Sequence, residues 1–143
     1  MPIEDLARSE VITVSPDESI QSVAKTMNQK SIGSVVVEDG GKPVGIVTDR
    51  DITMRVVAEG DMSIDHPVED VMTENPVTIE QGAGFYQAMD HMSKMGVRRM
   101  PVCENDELVG IITADDITEL LADEHQQMAE VVRSQRPPYE DIQ

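Results

Sequence analysis

Two short stretches carry the side chains that could do chemistry. Thr48 and Asp51 stand three apart in Gly45-Ile46-Val47-Thr48-Asp49-Arg50-Asp51, and Thr113 and Asp116 repeat that spacing in Gly110-Ile111-Ile112-Thr113-Ala114-Asp115-Asp116. A Thr followed at the third position by an acid is a helix-capping pattern: the hydroxyl accepts from the N–H three residues on, and the acid reaches back to the cap's own N–H. The same pair can hold a ligand. A helix N-terminus offers N–H groups and a partial positive charge to an anion. A carboxylate there accepts from a sugar diol and repels phosphate, so Thr with Asp suits a ribose. The glycine inside each apolar run permits close approach of another group.

The elements that must position these pairs recur with them. Slid by 65 residues, the chain matches itself without a gap: Thr13 falls on Thr78, Met27 on Met92 and Val37 on Val102. VGIVTDRDIT (44–53) then falls on VGIITADDIT (109–118) with seven of ten positions identical, against ten of 44 over 11–54 as a whole. Identity concentrated at the motif is more than a repeated hydrophobic pattern requires.

Each copy reads β-α-β-β-α. Strands are expected at VITV (11–14) and PVTI (76–79). Ser15-Pro16-Asp17-Glu18 reads as a capping box opening a helix whose apolar face is Ile20, Val23, Ala24 and Met27; Phe85, Ala88, Met89 and Met92 keep that spacing in copy two. Hairpins follow across Asp39-Gly40-Gly41 and Asn105-Asp106, then a second helix opened by Thr48 or Thr113, which in copy two runs on through Leu120, Leu121, Met128 and Val132. The expected division is 1–64 for copy one with its linker (58–67 read as linker), 65–132 for copy two, and 133–143 as a flexible tail. A unit of 65 residues alone buries only about 60% of its unfolded surface, so the copies should pack together about a pseudo-two-fold axis, with a ligand cleft between them.

Composition narrows the function classes. With 28 Asp and Glu against 11 Lys and Arg, the net charge is −17. Such a surface repels phosphate backbones, which argues against a nucleic-acid partner. Molar salt, with a Debye length of about 3 Å, would relieve the self-repulsion, so a salt-accumulating source is expected. The chain offers no apolar run long enough to span a membrane and no signal-peptide pattern at its start, which suggests a cytoplasmic location. With few aromatics, the core should be aliphatic and take in much of the ten Met. His66, His91 and His125 lack metal-ligand spacing, so no metal is expected, and Cys103 on a predicted strand reads as a core residue.

At its doubled motif the chain resembles a pair of CBS domains, named after cystathionine β-synthase. That family sets β-α-β-β-α units in tandem, and its nucleotide-binding units carry Gly-apolar-x-Thr/Ser-x-x-Asp. VEDVMTENPVTI (68–79) and GVRRMPV (96–102) are similar to the opening and second strand of such units, and the resemblance spans roughly residues 3–122. It implies an α/β (α+β) fold. It implies that Asp51 and Asp116 hold ribose hydroxyls, supported by Thr48 and Thr113, and that Ile12, Thr13, Val77 and Thr78 on the first strands meet the base. Val36 and Pro101 would complete the apolar slot. Arg98 and Arg99, standing where copy one has Gly33 and Ser34, would reach phosphate across the cleft, and Arg50 is a further candidate. Arg50 before Asp51 and Asp115 before Asp116 make the two sites unequal.

The function the resemblance implies is a non-catalytic sensor of AMP, ATP or S-adenosylmethionine, requiring no other cofactor, often a homodimer, and passing its output to an unknown effector protein. The other reading is a structural or dimerisation module that keeps the motif only as helix caps. No nucleophile–base pairing points to an enzyme.

Overall fold

The computed structural model describes residues 2–135. Copy one comprises β1 (Thr13–Val14), α1 (Ile20–Lys30), β2 (Ser34–Asp39), β3 (Lys42–Thr48) and α2 (Asp49–Ile52). Copy two opens with β4 (Thr73–Glu74) and then repeats the order as β5 (Ile79–Glu80), α3 (Phe85–Met95), β6 (Arg99–Glu104), β7 (Glu107–Thr113) and α4 (Ala114–Ser134). The fold is the mixed α and β one that the pattern predicts, in two sheets, ordered β1-β2-β3-β4 and β5-β6-β7.

The repeat holds to the level of single hydrogen-bonded partners. Every pair of the β2–β3 ladder, from Ser34↔Thr48 to Asp39↔Lys42, recurs 65 residues later from Arg99↔Thr113 to Glu104↔Glu107, with the register shift in the same place. Both hairpins turn through two left-handed residues, Gly40 and Gly41 (φ 60° and 82°) and Asn105 and Asp106 (φ 52° and 68°). Gly adopts that region freely, and Asn and Asp tolerate it best among the rest.

Two expectations are corrected. The opening strands are two residues each, displaced toward their C-terminal ends, because the parallel ladder to the second strand pairs only Thr13↔Val36 and Val14↔Val37, with Ile79↔Val102 and Glu80↔Cys103 in copy two. And α1 begins at Ile20, capped by Ser19, whose hydroxyl accepts from Ser22 N–H at 3.1 Å, while Glu18 accepts the Ser22 hydroxyl at 2.7 Å. Ser15-Pro16-Asp17-Glu18 is therefore a turn. Its carbonyls are engaged elsewhere: Val68 N–H donates to Glu18 (2.7 Å) and Glu69 N–H to Pro16 (3.1 Å), while Ile20 N–H donates to His66 (3.0 Å).

Those bonds belong to an exchange between the copies. Residues before β1 lie on copy two: Ile3 N–H donates to Ala83 and Glu4 N–H to Gln81. Ile3 is fully buried in a cluster with Ile79, Ala88, Met92, Met100, Val102, Ile112 and Ile117. Reciprocally, Val68 and Val71 are fully buried with Val14, Ile20, Val23, Met27, Val35, Val37, Val47 and Val56 of copy one, and β4 pairs with β3. Each bridge has its partner 65 residues on: Pro2↔Gly84 matches Ser19↔Pro67, and Arg8↔Ile111 matches Thr73↔Ile46. The pseudo-two-fold relation is thus built from backbone pairing as well as packing.

The core is aliphatic, but of the methionines among the described residues only Met27, Met92 and Met100 are buried in it; Met54, Met95 and Met128 are exposed. Copy one's last helix is short, α2 passing into a π-helical turn over Thr53–Ala58 that buries Val56. Its counterpart α4 continues to Ser134, two residues past the expected end at 132, and residues 136–143 of the expected tail lie outside the described residues. Among the described residues no helix is long and apolar enough to cross a membrane.

Candidate functional site: two pseudo-equivalent cavities

Both motifs form complete capping boxes. Thr48 Oγ1 accepts from Asp51 N–H at 3.0 Å, and Asp51 Oδ2 accepts from Thr48 N–H at 2.9 Å. Thr113 and Asp116 repeat this at 3.1 Å in both directions. The motif glycines are crossed by the chain itself. A Cβ on Gly110 would stand 2.9 Å from the Arg8 carbonyl, and one on Gly45 would strike the Met72 side chain. The exchanged segments, 3–8 and 68–74, therefore account for both glycines without a ligand.

The helix N-terminus is less open to an anion than its spacing suggests. In copy one the Asp49 N–H donates to the Gly33 carbonyl (3.0 Å), the Arg50 N–H to Asp49 Oδ1 (2.8 Å) and the Asp51 N–H to Thr48. With three of its four residues' N–H groups engaged, α2 leaves phosphate to be met by side chains. In copy two, Ala114 N–H donates likewise to the Arg98 carbonyl (2.8 Å).

What the capping box leaves available is one carboxylate oxygen per motif, and here the copies differ. Asp51 Oδ1 faces Arg55 Nη2 at 3.7 Å, beyond hydrogen-bonding distance. Asp116 Oδ1 accepts from Arg8 through Nη2 at 2.9 Å and Nε at 3.2 Å.

Two cavities flank the motifs, and each takes its motif from one copy and its opposite wall from the other. The first, of 560 Å³, is lined by Ile46, Thr48, Asp49 and Arg50 of copy one and by Thr73, Asn75, Pro76, Val77, Val97, Arg98 and Arg99 of copy two, with Gly33. The second, of 250 Å³, is lined by Ile111, Thr113 and Asp115 facing Arg8, Glu10, Val11, Ile12 and the stretch 32–36. Apart from Gly33 and Asp49 in the first and Val35 and Val36 in the second, the linings correspond residue for residue at the 65-residue offset. The first falls within the ordinary range for small-molecule pockets, about 300–1,000 Å³, and the second just below it. The first holds three arginines against Asp49; the second holds Arg8 against Glu10 and Asp115.

Of the residues singled out in the sequence, Thr48, Arg50, Val77, Arg98 and Arg99 meet in the first cavity, and Ile12, Val36 and Thr113 in the second. Asp51 and Asp116 are in neither lining; they stand half-buried in their caps, bonded to Thr48 and Thr113, which do line the cavities. Thr13 and Thr78 are exposed outside both cavities, and Pro101 is buried within β6. Sequence reasoning missed Arg8. The signal was its repeat position, where copy two has Thr73. Arg98 also pairs with Asp115 at 3.2 Å, so a residue of the first cavity touches one of the second. Cys103 is buried on β6, and burial, with the Glu80 and Asp106 carboxylates adding, pushes its thiol above the ordinary value.

A two-sheet α+β body of tandem units with a motif-lined cavity on either side of the pseudo-axis defines a paired binding-module fold. The CBS domain family model matches residues 3–58 and 68–123, and the chain belongs to that family. It is 35% identical over 120 residues to the uncharacterized protein MK0525 of Methanopyrus kandleri, a match covering 82% of this chain and 61% of that protein. Among solved structures it is similar to the CBS-domain-containing protein ATU1752 of Agrobacterium tumefaciens, with TM-score 0.73, 36% identity and coverage of 84% of this chain and 98% of that one. It is similar too to the CBS domain pair of protein MJ0100, solved in complex with 5-methylthioadenosine and S-adenosyl-L-methionine, with TM-score 0.76, 27% identity and coverage of 87% and 98%.

Proposed function

We propose that the chain is a non-catalytic regulatory module that binds an adenosine-containing ligand, AMP, ATP or S-adenosylmethionine, between its two CBS units. The observation that carries this reading is the first cavity. There Thr48, to which Asp51 is bonded in the cap, borders a 560 Å³ space whose far wall is apolar at Pro76, Val77 and Val97 and cationic at Arg98 and Arg99. Asp51 Oδ1 accepts the ribose hydroxyls, Val77 and Ile46 flank the base, and Arg50, Arg98 and Arg99 meet phosphate. The likeness to the MJ0100 pair, whose crystals hold two adenosine derivatives, supports the ligand class. On a chain of net charge −17, three arginines around one cavity favour an anionic ligand.

Isothermal titration of the protein with AMP, ATP and S-adenosylmethionine tests this. Binding of at least one is expected, with loss in Asp51→Ala while circular dichroism shows the fold intact; no heat from any of the three overturns it.

A homodimer is the assembly in which we place the module, with an effector protein receiving the output. Its support is apolar surface left on α4, where Leu121, Met128, Val131 and Val132 are exposed. Leu121, His125, Met128 and Val132 follow a 4-3-4 spacing. An antiparallel second copy would set Leu121 on Val132 and His125 on Met128, the self-complementarity a two-fold interface requires.

A further inference from the structure

The two cavities are equivalent by repeat and unequal in one contact. Arg8 is fixed by backbone: its N–H donates to the Ile111 carbonyl at 2.9 Å and its carbonyl accepts from Ile111 N–H at 3.0 Å. From there its guanidinium reaches Asp116 Oδ1 by two N–H groups, at 2.9 and 3.2 Å. That oxygen is the one the capping box leaves uncommitted, since Oδ2 is taken by the Thr113 N–H. The pseudo-symmetric residue is Thr73, held against Ile46 by the same register. A threonine has neither the reach nor the charge to do this, and Asp51 Oδ1 keeps only the 3.7 Å approach of Arg55.

We infer that Arg8 is an internal occupant of the second site. It satisfies the carboxylate that a ribose diol would otherwise engage, and its side chain stands in the cavity the ligand would enter, so the chain takes one equivalent of ligand, in the first cavity. Volume agrees: the cavity with Arg8 measures 250 Å³ against 560 Å³ for the one with Thr73. Charge agrees as well. Glu10 and Asp115 line the second cavity where Asn75 and Arg50 line the first, so a phosphate arriving there meets two carboxylates. Arg8 is 64% exposed at its side chain while Asp116 is 10% exposed, so the guanidinium closes the carboxylate from the solvent side. The inference rests on the proposed adenosine-ligand function and adds to it the stoichiometry and the residue that sets it.

Calorimetric titration with ATP, AMP and S-adenosylmethionine reads the stoichiometry directly. The wild-type chain is expected to bind one equivalent and Arg8→Thr, which sets the first site's residue at this one position, two. Asp116→Asn, in the otherwise wild-type chain, should leave the single binding event unchanged, and Asp51→Asn should remove it; this pair decides the matter if Arg8→Thr fails to fold. Two equivalents in the wild type, one lost in Asp116→Asn, would overturn the inference and leave the ligand assignment standing. So would a folded Arg8→Thr chain that still binds one. No binding by any variant overturns both.

Discussion

Arg98 and Asp115 make an ion pair at 3.2 Å although they line different cavities, Arg98 the first and Asp115 the second. Both side chains are about three-quarters exposed (76% and 75%), so the pair adds little stability and is easily exchanged for another anion. A phosphate in the first cavity competes for the same guanidinium. Arg98→Ala should weaken ATP binding about tenfold, the scale of one charge-assisted hydrogen bond, and leave adenosine binding unchanged. Its unfolding free energy should move by less than about 0.5 kcal/mol. Parallel titrations with ATP and adenosine, plus a urea melt, check all three.

The motif glycines should respond differently to a methyl group. Gly110→Ala sets a Cβ 2.9 Å from the Arg8 carbonyl, a backbone atom tied into a two-way bridge. Gly45→Ala meets the Met72 side chain, whose Sδ and Cγ can rotate away while its Cβ, 3.1 Å off, need give by only a few tenths of an ångström. We expect Gly110→Ala to cost about 1–3 kcal/mol, the range for overpacking, and Gly45→Ala less. Denaturant midpoints of the two variants decide it.

The capping boxes bear on stability whether or not a ligand binds. Thr113→Ala removes the acceptor for Asp116 N–H at the head of a 21-residue helix and should cost about 1 kcal/mol. Thr48→Ala should cost a similar amount, and in addition weaken the ligand bound in the first cavity. Equal loss of affinity in the two variants would contradict the one-site assignment.

Cys103 gives stability a pH dependence of definite sign. Burial and the Glu80 and Asp106 carboxylates raise its thiol above the ordinary value, so the folded state holds the proton more tightly than the unfolded. The contribution is whole below the unfolded thiol's pKa, about 8.5, and is lost as pH rises from there through the folded value. Urea melts at about pH 7 and about pH 10 should differ more for the wild type than for Cys103→Ala.

The net charge of −17 predicts a salt response. Raising KCl from about 0.1 M to about 1 M shortens the Debye length from about 10 to about 3 Å, and the thermal midpoint should rise accordingly.

The repeat, the hairpins and the motif caps were legible because each depends on local spacing: a period of two in the strands, the Thr-x-x-Asp interval, the turn pairs Gly40-Gly41 and Asn105-Asp106. The exchange of residues 3–8 and 68–74 was not, since a 65-residue period reads the same whether Ile3 packs on its own copy or the other. The helix start was misplaced for a related reason. Ser15-Pro16 is a good local signal, but the carbonyls of Pro16 and Glu18 were claimed by residues 68–69, and Ser19 became the cap. The cavity walls followed suit, and Arg8 escaped notice because nothing in its own neighbourhood points to Asp116, 108 residues away.

That exchange also orders events in time. During synthesis Ile3 leaves the ribosome well before its neighbours Ile79 through Ile117 are made. The first unit in turn lacks Val68 and Val71 until the linker has emerged. Neither half can finish alone, so the segment around Ile3 stays unburied until copy two has been made, and the two copies should melt in a single cooperative step.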